Sequence, residues 1–306
     1  MLQLRPYQKK ALAELRRNFL QGFRRLLLRA PTGAGKTVIA CGLISGAVAK
    51  GTRVLFLAHR TELIEQCSRK LTEFGINHGI IKAGYKPIHS APVQVASVQS
   101  LARRDTIEPG LIFVDEAHHA NAATYKGILA RFPQAIVIGL TATPARTDGR
   151  GLGEIFQIIL ETVDYWDLLE HGFLVPMRLV EPSTPDLSGV KTVAGDYNQK
   201  QKAERMRSPR IYGDIVDTWK RMGEGRPTLM FAASVAHSLE LCARFRAEGV
   251  VAEHVDGTTD EDRRARLFRE IQAGHIDILS NVGVATEGTD LPAVSAVILA
   301  NPTKSI

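Results

Sequence analysis

Residues 26–37 read LLLRAPTGAGKT, and no other stretch restricts the fold as tightly. An apolar run, Leu26–Arg29, passes directly into a bend with two glycines, and Lys36–Thr37 then opens a long helix-compatible stretch. This order predicts a buried strand turning sharply into a helix, because glycine accepts the backbone angles that curl so short a loop. With Thr32, Gly33, Ala34 and Gly35 forming the bend, successive N–H groups can point inward, and the helix start adds its positive dipole end. Such a cradle suits phosphate oxygens. Lys36 is placed to neutralise charge on β- and γ-phosphates and Thr37 to hold Mg²⁺ through its hydroxyl, so Ala30–Thr37 predicts a site for ATP and Mg²⁺.

The same alternation continues along the chain. Val54–Ala58, Val93–Ala96, Leu111–Val114 and Ile136–Leu140 are short runs rich in Val, Ile and Leu, as central strands of a parallel sheet must be. Thr37–Ala49 and Glu62–Phe74 are helices between them. The pattern breaks near Pro176, and residues 181–210 combine Pro182, Pro185, Gly189 and Gly195 with a polar, basic run. They read as a connector. Alternation then resumes with strands at Leu229–Ala232, Val250–Val255, Ile276–Ser280 and Val294–Ala300, and helices at Val235–Glu248 and Asp260–Ala273. An α/β chain of two tandem domains results, residues 1–180 and 211–306, joined by 181–210.

Leu111–His119 reads LIFVDEAHH, an apolar strand ending in adjacent carboxylates. Two acids side by side are costly unless a cation lies between them. Asp115 is positioned to reach Mg²⁺ and Glu116 to orient and deprotonate a water. Alone the pair could be a solvated acidic turn; beside the glycine-rich loop it supplies the complementary half of a phosphoryl-transfer site.

The chain carries a formal net charge of +7, which fits nucleic acid or simply a basic soluble surface. Cys41, Cys67 and Cys242 are far apart, form no zinc-type cluster and read as buried thiols of a reducing compartment. With no signal-peptide layout and no apolar run of membrane-spanning length, the expected location is cytoplasmic, away from membranes.

With these residues in place, the chain resembles the superfamily 2 helicases of DEAD/DEAH-box type, close to RadD-like and prophage helicases. Asp115–His118 spells DEAH. LRPYQ (Leu4–Gln8) is similar to the adenine-recognition segment, LAHRTELIEQ (Leu57–Gln66) to motif Ia, QVASVQSL (Gln94–Leu101) to motif Ib and TATPAR (Thr141–Arg146) to motif III. LMFAASVAHS (Leu229–Ser238) resembles motif IV and ILSNVGVATEGTDLP (Ile278–Pro292) motif V. The resemblance implies two RecA-like domains with ATP in the cleft between them. It implies Arg5 and Gln8 at the base, and His59, Arg60, Ser97 and Gln99 on the nucleic-acid backbone, DNA ahead of RNA. Thr141 and Thr143 would couple hydrolysis to strand movement through His118, and Gly288, Thr289 and Asp290 would approach the nucleotide. His59 and Arg60 could equally cap a strand, and Thr141–Pro144 could be only a turn.

The family pattern closes with an arginine-rich motif VI, and no such segment precedes Ile306. The expectation is a chain truncated before that motif, its second sheet incomplete and partly bare, with weak hydrolysis for want of an arginine finger. Three functions stay open: a nucleic-acid-stimulated ATPase or helicase, a translocating motor subunit of a restriction or defence system, and a nucleotide-gated binding module with little turnover.

Overall fold

The computed structural model describes residues 4–86, 88–104, 106–120, 122–143, 151–181, 186–193, 196–207, 209–285 and 289–302. It divides into two compact units, Met1–Met177 and Arg178–Ile306.

The first unit is built on seven strands: β1 (Arg25–Arg29), β2 (Val54–Ala58), β3 (His78–Ile81), β4 (Val93–Ser97), β5 (Leu111–Val114), β6 (Ile136–Thr141) and β7 (Ile158–Glu161). They lie in the order β3-β4-β2-β5-β6-β1-β7, every neighbouring pair parallel. Helices α1 (Pro6–Leu20), α2 (Lys36–Val48), α3 (Thr61–Glu73), α4 (Val98–Leu101), α5 (Ala123–Ala130) and α6 (Tyr165–Glu170) complete it, with a 3₁₀ turn at Ala117–His119. Alternate strand residues serve opposite faces. In β2, Val54, Phe56 and Ala58 join a core with Leu15 of α1, Ile39 and Ile44 of α2 and Leu63 of α3. Leu55 and Leu57 join another with Tyr125, Ile128 and Leu129 of α5. Burial on both faces is why these strands read as unbroken apolar runs. Strands β3 and β7 lie beyond those anticipated; they close the two edges of the sheet and are only partly buried.

The second unit holds a two-residue ladder, β8 (Thr192–Val193) with β9 (Asp196–Tyr197), then α7 (Gln199–Met206) and α8 (Pro209–Met222). The span expected as a connector therefore contains regular structure. The Asn198 side chain caps α7 by accepting the Gln201 N–H at 3.1 Å, and Met206 is buried. Beyond them β10 (Thr228–Ala232), α9 (Val235–Ala247), β11 (Ala252–Asp256), α10 (Glu261–Gln272), β12 (Ile278–Val282) and β13 (Ala296–Ala300) form a parallel sheet ordered β11-β12-β10-β13. Met230 and Ile278 pack under α8 and α9, and Leu229 and Leu279 under α10. Edge strand β13 points Val297 and Leu299 outward, 57% and 73% exposed.

All three cysteines are buried free thiols, and burial pushes Cys41 up to about 12 and Cys242 to about 11, so neither is a ready nucleophile. Among the described residues no helix is long and apolar enough to cross a membrane.

His237 makes the second unit acid-sensitive. It is fully buried against the Tyr212 ring (centroids 5.4 Å apart), and its Nδ1 accepts the Ala233 N–H at 3.2 Å. Burial holds its pKa down at about 4. The unfolded chain protonates first, so this contribution is complete above about pH 6.5 and is lost as pH falls toward 4. The loss at pH 5 is on the order of 2 kcal/mol. Urea unfolding followed through Trp219, in a Trp166→Phe background, should show this drop between pH 7 and 5, and His237→Phe should remove it. An equal drop in both proteins contradicts the assignment.

Candidate functional site

Because the first sheet is wholly parallel, the carboxyl ends of its strands share one edge, where α/β sheets of this kind place ligands. Ala30–Gly35 leaves β1 there, His59 and Arg60 leave β2, Ser97 ends β4, Asp115 and Glu116 leave β5, and Thr141 ends β6.

Gly33 and Gly35 have φ of +84° and +77°, the left-handed angles the loop requires. Gly35 is the N-cap of α2 and brings no side chain to cap the first turn, so among the described residues its N–H groups are available to an anion. Thr32 is exposed, Ala34 is buried, and Lys36 and Thr37 are half-buried on the first turn. The Lys36 Nζ rests 3.5 Å from the Ala30 carbonyl, and the Ala30 N–H donates to the Thr141 carbonyl at 3.0 Å. Ala34 is braced from beneath. The Tyr7 hydroxyl and Gln8 Nε2 both donate to its carbonyl, at 2.9 and 3.1 Å, while Gln8 Oε1 accepts the Arg5 N–H at 2.9 Å. The Arg5 guanidinium lies 4.5 Å over the Phe173 ring, which Tyr7 meets edge-on. Sequence reasoning singled out Arg5 and Gln8 but missed Tyr7, Phe173 and Leu174, which meet the loop only through the fold.

An added Cβ at Gly35 would fall 2.7 Å from Gln8 Nε2. Gly35→Ala therefore combines that clash with left-handed strain, on the order of 1–3 kcal/mol. Calorimetric titration with a non-hydrolysable ATP analogue should show nucleotide affinity reduced at least about tenfold; unchanged affinity would mean that the loop's shape is not what binds.

Asp115 is 5% exposed. Burial first, then neighbouring Glu116, pushes its carboxyl up to about 7, against the pull of Lys36 and of the Glu116 N–H, which donates to Oδ1 at 3.1 Å. A buried acid in that condition fits a divalent cation, which would restore its charge. Glu116 itself has φ 46° and ψ 58°, a left-handed conformation costing on the order of 1–3 kcal/mol for a residue with a side chain. The 3₁₀ turn then brings His118 back, its Nδ1 3.4 Å from both Glu116 Oε2 and Thr141 Oγ1. Thr141 is fully buried; its hydroxyl donates to the Thr143 carbonyl at 2.8 Å and accepts the Thr143 N–H at 3.2 Å.

His59, Arg60, Ser97 and Gln99 are also gathered. Ser97 Oγ donates to Gln99 Oε1 at 2.8 Å, Gln99 Nε2 reaches the His59 carbonyl at 3.5 Å, and Arg60 Nε donates to His59 Nε2 at 3.3 Å. In the second unit the Asp290 carbonyl accepts from Gln272 Nε2 at 3.4 Å. Gly288 lies outside the described residues, as do Pro144–Arg146 and Arg150.

Residues 1–146 match the family model described as Type III restriction enzyme, res subunit, and residues 209–306 match Helicase conserved C-terminal domain. The chain belongs to the superfamily 2 helicases. ATP-dependent chemistry and nucleotide binding are properties of that family. A 51.5 kDa protein of a Lactococcus phage (isolate 7-9) is 31% identical over 92% of this chain and 60% of its own length. A Saccharomyces cerevisiae protein named as an ATP-dependent helicase, IRC3, is 31% identical over 99% of the chain and 47% of its own length. The chain spans about half the length of the curated relatives it matches. The Pyrococcus furiosus Hef helicase domain shares the fold, with a TM-score of 0.61 and 17% identity over 97% of this chain and 90% of that one. The chain is thus a RecA-like α/β protein with parallel sheets.

Proposed function

We propose that the chain is the motor core of a nucleic-acid translocase or helicase that binds ATP with Mg²⁺ on the edge after β1 and β5. The observation that carries this reading is the pairing of an uncapped, glycine-shaped helix start with a buried carboxyl held near 7 within electrostatic reach of Lys36. ATP–Mg²⁺ would supply the phosphoryl group whose transfer to water releases the driving free energy. The loop N–H groups and Lys36 bind its phosphates, Thr37 and Asp115 hold the metal, and Glu116 orients a water and accepts its proton. His59, Arg60, Ser97 and Gln99 are the groups we assign to the nucleic-acid backbone. Phosphate contacts of this kind position the track without reading its sequence. The net charge supports a polyanionic track, and DNA is our first choice over RNA.

Phosphate release measured with single-stranded DNA, duplex DNA and RNA as activators, beside Lys36→Ala, tests the reading. Lys36-dependent turnover raised by nucleic acid is the expected result. No turnover above the variant, together with nucleotide-dependent affinity for the oligonucleotide, would replace the motor with a gated binding module. The restriction-subunit description matched over residues 1–146 favours a second reading, a translocase that pumps duplex without separating strands. Triplex displacement without strand displacement would select it.

A further inference from the structure

His119 has no part in the phosphate chemistry above, yet it lies between the two halves of the edge. Its ring centroid is 4.5 Å from that of His59, edge to face at 67°, and 4.1 Å from that of His118, tilted by 48°. On the His59 side, the main-chain carbonyl is held by Gln99 and the ring by Arg60. On the His118 side, one nitrogen faces two groups, Glu116 and Thr141, each at 3.4 Å. That separation is long for a hydrogen bond, and one ring nitrogen cannot shorten to both. His118 thus sits midway between the Glu116 carboxylate and the Thr141 hydroxyl, and a small rotation of its ring would favour one over the other. Close-packed rings pass such a displacement on instead of absorbing it.

We propose that His119 is a positioning residue that couples the His59–Arg60–Gln99 cluster to Glu116 by setting the tilt of His118. The role presupposes the nucleotide and nucleic-acid assignments proposed above. When a phosphate backbone draws on Arg60 or Gln99, His59 shifts against His119, and His118 moves off the Glu116 carboxylate. Glu116 is then free to take a proton from water. Contact alone does not establish coupling; a two-state group biased from both ends does, and that is the role we assign to His118.

The test uses the whole chain. ATP turnover is measured with and without saturating oligo(dT), and oligonucleotide affinity is measured without nucleotide, for the parent, His119→Ala and His119→Phe. In His119→Ala the stimulation factor should fall at least about fivefold, as expected for loss of a coupling near 1 kcal/mol. The loss should appear in kcat rather than in KM for ATP, with oligonucleotide affinity within about twofold of the parent. His119→Phe keeps a ring against both neighbours and should recover most of the stimulation. Parental stimulation in His119→Ala overturns the proposal. So does a parallel loss of basal and stimulated rates that Phe does not rescue, which marks a merely structural residue. A parent that hydrolyses ATP without any response to nucleic acid defeats the functional reading itself, and does so before any substitution is made.

Discussion

Lys36→Ala is expected to lower ATP turnover by at least about 10²-fold, the scale set by removing one charge-stabilising donor from a transferring group. Two effects combine. The ammonium that would meet the phosphates is removed, and Asp115 loses the cation that draws its carboxyl back toward ionisation. The metal ligand is therefore weakened along with the phosphate clamp. Stability should change by no more than about 0.5 kcal/mol, because Lys36 forms no direct ion pair among the described residues and alanine suits a first helical turn. Steady-state phosphate release with a parallel thermal melt separates the two quantities. Turnover within threefold of the parent, in a chain with an unchanged melt, would remove this loop from the chemistry.

Glu116→Gln should lower turnover by about 10²- to 10⁴-fold, the range for loss of a general base, with nucleotide affinity preserved. Glutamine keeps the size and the left-handed backbone strain, so its effect isolates the carboxylate. Glu116→Gly gives the complementary measurement. It relieves strain on the order of 1–3 kcal/mol, partly offset by about 0.5–1 kcal/mol of added chain entropy, so it should melt higher while turning over as poorly as Gln. A glycine variant that melts lower and retains activity would show that the angle is not strained and the side chain not catalytic.

The central strands of both units were legible because a strand buried on both faces has little choice but Val, Ile and Leu. Those at the edges of the first sheet were harder. His78–Ile81 and Ile158–Glu161 bury only part of their surface, so their residues carry a weaker signal. Residues 181–210 looked like linker because α7 is polar on most of its surface. Its cap at Asn198 was a local cue, but not one that outweighed the surrounding prolines and glycines. For the site, chemistry-bearing residues were readable where one short segment contains the whole pattern, as at Ala30–Thr37 and Asp115–His118. Tyr7 on the Ala34 carbonyl, 27 residues away, has no such local signature, nor has Phe173 beneath Arg5. His119 was in view as a letter of LIFVDEAHH and His59 as a letter of LAHRTELIEQ. Their proximity was not, since only the β2–β5 pairing brings the two together.

The backbone bond from Ala30 to Thr141 limits how the phosphate loop and the third motif can communicate. Arg29 and Thr141 are partners in the β1–β6 register, so loop and threonine hang from the same rung of the sheet. Neither end can slide past the other without breaking that rung, at a net cost of roughly 1 kcal/mol, along with its neighbours in the ladder. The scaffold is in effect a fixed ruler, which leaves side chains as the parts free to move against it. Thr141 is β-branched and fully enclosed, with few permitted rotamers. Were Thr141 to carry the coupling that the resemblance implies, the signal would take the form of a switch between discrete torsional settings, not of a graded shift in the main chain.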